Sequence, residues 1–216
     1  MMAGLASSDP GQVSREPAAA SVDVEPTSPR RLLAFSDGVF AVIITILVLD
    51  LKPPAGDTFH ALLLLWPTMV SYGVSYLFIA IVWLNHHHLL GQVQAVTPRL
   101  MWANFAHLFS VSLLPFTAAW IADSHLADAP VSLYAAIFGT VNASYLVLCW
   151  EAMDRPQVGD ERMRRFMRLR SWISLAVFIL AAVAGLFSAP AGMALVILCL
   201  IVYVRPGIST PRPRRG

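Results

Sequence analysis

Residues 31–51, RLLAFSDGVFAVIITILVLDL, decide how the rest of the chain is read. Past Arg31 and Asp37 the stretch runs apolar to Asp50, and its length matches the roughly 20 residues that cross a bilayer core as a helix. An ionisable side chain inside such a span is costly, so it is usually kept for function and usually has a partner. The other apolar spans of this chain carry no charge. The first helix is therefore expected to do something the others do not.

Composition points the same way. The 216 residues are 57% hydrophobic and 13% charged, where a soluble domain carries roughly 25% charged residues. This is the composition of a polytopic, all-α membrane protein. Cys149 and Cys199 both fall within apolar runs and read as small buried hydrophobes, outside any disulfide or metal framework. The basic residues flank spans and do not line a soluble face, so no nucleic-acid partner is expected. Residues 1–28 are rich in Ala, Ser and Pro and contain no apolar signal-peptide core. They cannot bury enough surface to fold and are expected to form a disordered cytoplasmic tail.

Six apolar segments follow. The first opens at Ser28-Pro29, an N-cap followed by proline at the first helical position, and closes at Lys52-Pro53-Pro54. The second covers about Ala61 to Leu84, the third Leu100 to Ala122 and the fourth Ala129 to Trp150. The run from Ser171 to Val204 is too long for one crossing, and Ser188-Ala189-Pro190-Ala191-Gly192 divides it into a helical hairpin. Residues 29–205 thus form one six-helix transmembrane domain, and 206–216 a basic cytoplasmic tail.

Orientation follows from the arginines. With six spans, all 14 arginines fall on one side and Lys52 alone on the other. The positive-inside rule then makes both termini cytoplasmic in a plasma or bacterial inner membrane. The basic segment Arg162 to Arg170 reads as a topogenic loop, with binding of anionic lipid headgroups or capping of a cytoplasmic helix as alternatives. Trp66, Trp102, Trp120, Trp150 and Trp172 lie near span ends, as in an aromatic belt.

At about 100° per residue, Val42, Ile46 and Leu49 share one stripe of the first helix, with Thr45 at its edge. For an isolated helix such a stripe means lipid contact or core packing. Two longer patterns change that. Arg31-x-x-x-Phe35-Ser36-Asp37 at the head of the first span, continued by Ala41, Thr45 and Leu49-Asp50-Leu51, resembles the signature of the lysosomal and bacterial potassium channel family called transmembrane protein 175. Trp83-x-x-His86, Asn104 and Leu114-Pro115-Phe116 extend the resemblance, which covers roughly residues 30–205.

The resemblance implies an all-helical cation channel unlike the P-loop potassium channels. A single six-helix repeat implies a homotetramer whose first helices line the pore. Carried over by position, Val42, Ile46 and Leu49 form the constriction. Val42 is shorter than the Ile or Leu often found at the narrowest point, which bears on how tight the ring is. Arg31, Ser36, Asp37, Trp83, His86 and Asn104 are expected to form a buried polar network that holds the first three helices together, complete or nearly so.

The residues themselves fit such a pore. The chain has no TVGYG-type carbonyl filter, so selectivity by rings of backbone carbonyls is excluded. A ring of Val or Ile is a dry constriction that potassium, the more weakly hydrated ion, passes better than sodium. Thr45 offers hydroxyls beside it. Asp50 either concentrates cations at the outer mouth or is a solvated helix end.

The expected function is passive potassium conduction, with proton permeation open as an addition, without cofactor or enzymatic reaction. Two other classes remain. A proton-coupled secondary transporter would use Asp37 and His86 as a relay, but no internal repeat or pair of Gly/Pro-broken helices is visible. A metalloenzyme would use the histidines. His86, His87 and His88 are consecutive, and helical positions 100° apart cannot converge on one ion, so no metal is expected. His87 and His88 read instead as interfacial groups sensitive to pH near neutrality.

Overall fold

The computed structural model describes residues 28–153 and 161–204. Among the described residues the chain is all-helical: α1 (Pro29–Leu49), α2 (Phe59–Leu63), α3 (Trp66–Leu90), α4 (Pro98–Ser112), α5 (Leu114–Asp123), α6 (Asp128–Met153), α7 (Glu161–Gly185) and α8 (Ala189–Val204). Four stretches are long and apolar enough to cross a membrane: Pro29–Leu49, Trp66–Leu90, Pro98–Asp123 and Asp128–Ala152. The apolar parts of the last two helices, Leu169–Gly185 and Ala189–Val202, are shorter. The tails expected at 1–28 and 206–216 lie outside the described residues, apart from Ser28.

Helix starts follow local chemistry. Ser28 caps α1, its hydroxyl accepting from the Arg31 N–H at 3.4 Å. Thr97 caps α4 in the same way through Leu100, at 3.1 Å. Proline occupies the first turn of both helices, where its missing N–H costs nothing. The second span starts later than its apolar run, because α2 ends at Leu63 and α3 begins at Trp66-Pro67. It also ends later, at Leu90. The histidines do not stop the helix, because His86 is buried and hydrogen-bonded.

The third span, expected to be one helix, is two. Pro115 has no N–H with which to continue the ladder, so the chain closes with a tighter Leu113 N–H to Ser110 C=O bond of 3.4 Å. Leu113 keeps a right-handed helical conformation, φ −81° and ψ −12°, so the result is a kink. The Thr117 hydroxyl donates to the Leu114 carbonyl at 3.0 Å just past the break. The basic segment expected as a loop also differs: α7 starts at Glu161, so residues 162–170 are helical.

The core sits between α3, α6 and α7. Phe78 and Phe138 stack at 3.8 Å between ring centres, with Phe178 edge-on at 5.8 Å and 5.5 Å. Fully buried Tyr134 hydrogen-bonds Ser75 at 2.7 Å and donates to the Ser71 carbonyl at 3.3 Å, pinning α6 to α3. The α7–α8 hairpin closes on glycine. A Cβ on Gly192 would stand 2.8 Å from the Gly185 Cα, and one on Gly185 would stand 3.0 Å from the Ser132 backbone. Only glycine allows so close an approach of α6, α7 and α8. The free N-terminus of α8 is capped from α6, where Asp128 Oδ1 accepts from the Ala189 N–H at 2.6 Å.

Against this body α1 is peripheral. It packs on α3, α4 and α5 through the stripe Leu32, Ser36, Phe40, Ile43 and Leu47. Among the described residues, the far side of the helix has no neighbour in the protomer.

Candidate functional site

The two faces of α1 differ in kind. Val42, Ile46 and Leu49 are 55%, 44% and 79% exposed in the protomer. Isolated apolar side chains on a surface need no explanation, but a contiguous stripe does. Thr45 lies beside them, and its hydroxyl donates back to the Val42 carbonyl at 2.7 Å. Its hydrogen is thereby occupied, and the oxygen presents lone pairs outward. Asp50 is the exposed C-cap of α1, with its N–H bonded to Ile46 at 3.2 Å. A carboxylate at that end opposes the helix dipole, so helix stability alone does not account for it.

The buried face carries the polar residues, in two groups. The first is fully enclosed. Asn104 on α4 donates to the Ser36 hydroxyl on α1 at 3.0 Å and accepts from His86 Nε2 on α3 at 2.7 Å. Ser36 in turn donates to the Leu32 carbonyl at 2.9 Å. Ser36, His86 and Asn104 are all completely buried, so one amide joins three helices out of contact with solvent. The second group lies nearer the surface. Asp37 accepts from Trp83 Nε1 at 2.9 Å and meets His87 Nδ1 at 3.2 Å. The Trp83 and His87 rings lie 5.4 Å apart on α3.

The structure thus brings Ser36, His86 and Asn104 together, and Asp37 and Trp83 together. Arg31 joins neither group: it is exposed and its side chain has no hydrogen bond or ion pair among the described residues. One residue before Leu32, it lies about 100° around the helix from the buried stripe. The Asp37–His86 relay of the transporter reading is not formed either, because His86 Nε2 is taken by Asn104 and the histidine beside Asp37 is His87. The three consecutive histidines fan out as helical geometry requires, His86 to Asn104, His87 to Asp37 and His88 to Gln92.

His107 was missed in the sequence. Fully buried one turn from Asn104, it stacks on His86 at 5.6 Å with rings 10° from parallel. It bonds the Ser144 hydroxyl on α6 at 3.0 Å, and Phe40 of α1 packs on both imidazoles. The spacing Asn104 to His107, i to i+3 on one helix face, was the available signal. The cluster thereby extends from α1 through α3 and α4 to α6.

Apolar helices of spanning length, tied together by an enclosed polar cluster, define a multi-pass helical membrane protein. The family model described as the endosomal/lysosomal potassium channel TMEM175 matches residues 31–115, which include every residue of both polar groups and the exposed stripe. A protein of Chryseobacterium sp. (strain P1-3) named as a potassium channel is 32% identical over 182 residues, spanning 82% of this chain and 92% of the relative. The crystal structure of a lysosomal potassium-selective channel TMEM175 homolog from Chamaesiphon minutus superposes with a TM-score of 0.74 at 26% identity, over 81% of this chain and 95% of that one. The Gallus gallus protein named endosomal/lysosomal proton channel TMEM175 is 32% identical over 117 residues, 47% of this chain but 23% of its own length. The chain belongs to the TMEM175 family of ion channels.

Proposed function

We propose that this protein is a passive cation channel that favours potassium and also admits protons, and that it works as a homotetramer. The observation that carries the reading is the asymmetry of α1. One face is fixed to α3 and α4 through Ser36, Asp37 and Asn104, while the stripe Val42, Ile46 and Leu49 is bare in the protomer. Four copies that meet along this stripe bury it and enclose a narrow apolar path. The relatives named as potassium and proton channels support the choice of ions.

In this arrangement the protomer forms a single domain over residues 29–205 with six crossings. The termini are cytoplasmic in a plasma or bacterial inner membrane, a placement the arginine distribution supports. Val42, Ile46 and Leu49 line a dry ring where ions shed water, and Thr45 oxygens face the ions beside it. Potassium loses its hydration at lower cost than sodium and passes preferentially. Asp50 carboxylates gather cations at the outer mouth. Ser36, Asp37, Trp83, His86 and Asn104 touch no ion; they fix the rotation and depth of α1, which set the diameter of the ring.

The test is flux through purified protein in liposomes, with a potassium gradient compared against a sodium gradient. Fast, non-saturating flux that favours potassium is expected. Saturable flux that requires a proton gradient would replace the channel by a transporter.

A further inference from the structure

Arg31 has no task within the protomer. It is exposed, and its side chain has no hydrogen bond or ion pair among the described residues. No acidic residue stands in the first turn of α1, where the helix dipole disfavours a cation. Asp37 does not compensate it. That carboxylate lies about 120° around the helix from Arg31, and Trp83 and His87 of α3 hold it.

Helical phase sets the side on which Arg31 stands. Leu49 follows it by five whole turns at 3.6 residues each, so the two share one line along α1. Val42 falls about 20° from that line. Phe35, one turn beyond Arg31 and also exposed, stands on the same side. Arg31 is therefore the cytoplasmic end of the bare stripe that carries Val42, Ile46 and Leu49, about 16 Å along the helix from Val42. Arg99 gives the contrast. Ser36 bonds Asn104, and Phe35 meets Phe105, so α1 and α4 run parallel with Arg31 and Arg99 at the same depth. Arg99 stands about 140° around α4 from Asn104, on a side turned away from α1.

We propose that Arg31 makes this channel an inward rectifier. Four guanidinium groups ring the inner mouth of the path, lower the potassium concentration there and oppose cation entry from the cytoplasm. Asp50, about 28 Å further along α1, gathers cations at the outer mouth. Both charges then favour inward over outward current at equal and opposite voltages. The inference rests on the channel reading of α1, with the bare stripe as its pore-lining side.

Inside-out patches from cells that express the full chain test this, with equal potassium on both faces. At about 10 mM salt the Debye length is about 30 Å and the fixed charges act across the mouth; at about 1 M it is about 3 Å. Wild type should pass several-fold more inward than outward current at low salt, and nearly equal currents at high salt. Arg31→Gln should raise the low-salt outward current several-fold. Arg31→Lys should keep the asymmetry, and Arg99→Gln should leave it unchanged. Arg31→Cys gives a second route, since Cys149 and Cys199 are buried. A positively charged thiosulfonate reagent added to the cytoplasmic face should restore its asymmetry, and a neutral one should not. Symmetric low-salt currents in wild type would overturn the proposal and leave the channel standing. So would an asymmetry that survives Arg31→Gln, that falls equally in Arg99→Gln, or that ignores the charge of the reagent. Absence of potassium current from folded wild-type protein would remove the channel itself, and the rectifier with it.

Discussion

Asn104 is the place to perturb, because its one side chain holds three helices. Asn104→Ala removes the acceptor from His86 and the donor to Ser36 together. The two partners suffer differently. Ser36 still donates to Leu32, so its loss is small. Among the described residues His86 has no other hydrogen bond: its Nδ1 is buried without a partner already, and the whole imidazole becomes unsatisfied. A buried polar group stranded in this way costs about 1–3 kcal/mol. Interhelical hydrogen bonds in membranes measure lower, averaging about 0.6 kcal/mol and reaching about 1.7. Adding the shortened side chain's lost packing gives an expected destabilisation of about 2 kcal/mol. For a chain of this size that lowers the melting temperature by about 4–8 °C.

Thermal unfolding of the purified protein, followed by loss of the monodisperse chromatographic peak, measures the shift. His86→Ala and the double variant complete a cycle, whose interaction energy should be about 0.6–1.7 kcal/mol. A melting temperature unchanged within about 1 °C, together with additive single effects, would show that the amide holds nothing and that packing alone places α1.

Four other outcomes are expected. Val42→Ala and Ile46→Ala, at positions open in the protomer, should leave subunit stability within about 0.5 kcal/mol but lower potassium-over-sodium selectivity in reversal-potential measurements; unchanged ratios would take both out of the pore. Asp50→Asn should reduce single-channel current at low salt and lose that effect at high salt, since exposed charges are screened; equal reductions at both would point to a structural role. Gly192→Ala should destabilise the protein by about 1–3 kcal/mol, because its Cβ has no room against Gly185, and a neutral result in thermal unfolding would mean the hairpin opens freely. Asp128→Ala should cost about 0.5–2 kcal/mol by removing the cap of α8, measured in the same assay, and an unaffected melting temperature would count against that cap.

The apolar runs were legible because each helix is built mainly from residues that water rejects. Their ends were less so. The later start of α3 depends on Pro67, and its later end on a histidine whose burial is known only from its partner on α4. The kink at Leu113 follows from Pro115, yet a proline inside an apolar run breaks, bends or starts a helix depending on its neighbours. The polar residues of the first motif could be named from the resemblance, but their pairing was not in the spacing. Whether Asp37 meets His86 or His87 turns on a 100° rotation of α3, which tertiary packing sets. His107 escaped notice for the same reason, as a lone histidine in an apolar run has no partner until α6 brings Ser144 against it. Arg31 shows the converse: it belongs to the motif, yet its side chain makes no bond to the residues named with it.

The cap that Asp128 supplies to Ala189 reaches across 61 positions of chain. Most helices find their first hydrogen-bond acceptor within three or four residues and can form as soon as they leave the ribosome. The last helix here, with 16 residues, depends instead on an element made long before it. Its first turn stays uncapped until α6 has taken its place, and Gly192 can seat only against Gly185 of α7. Biogenesis is thereby ordered. Completion of the final hairpin thus depends on the arrangement of the preceding helices, and a chain stalled earlier leaves the first amide of α8 without its cap.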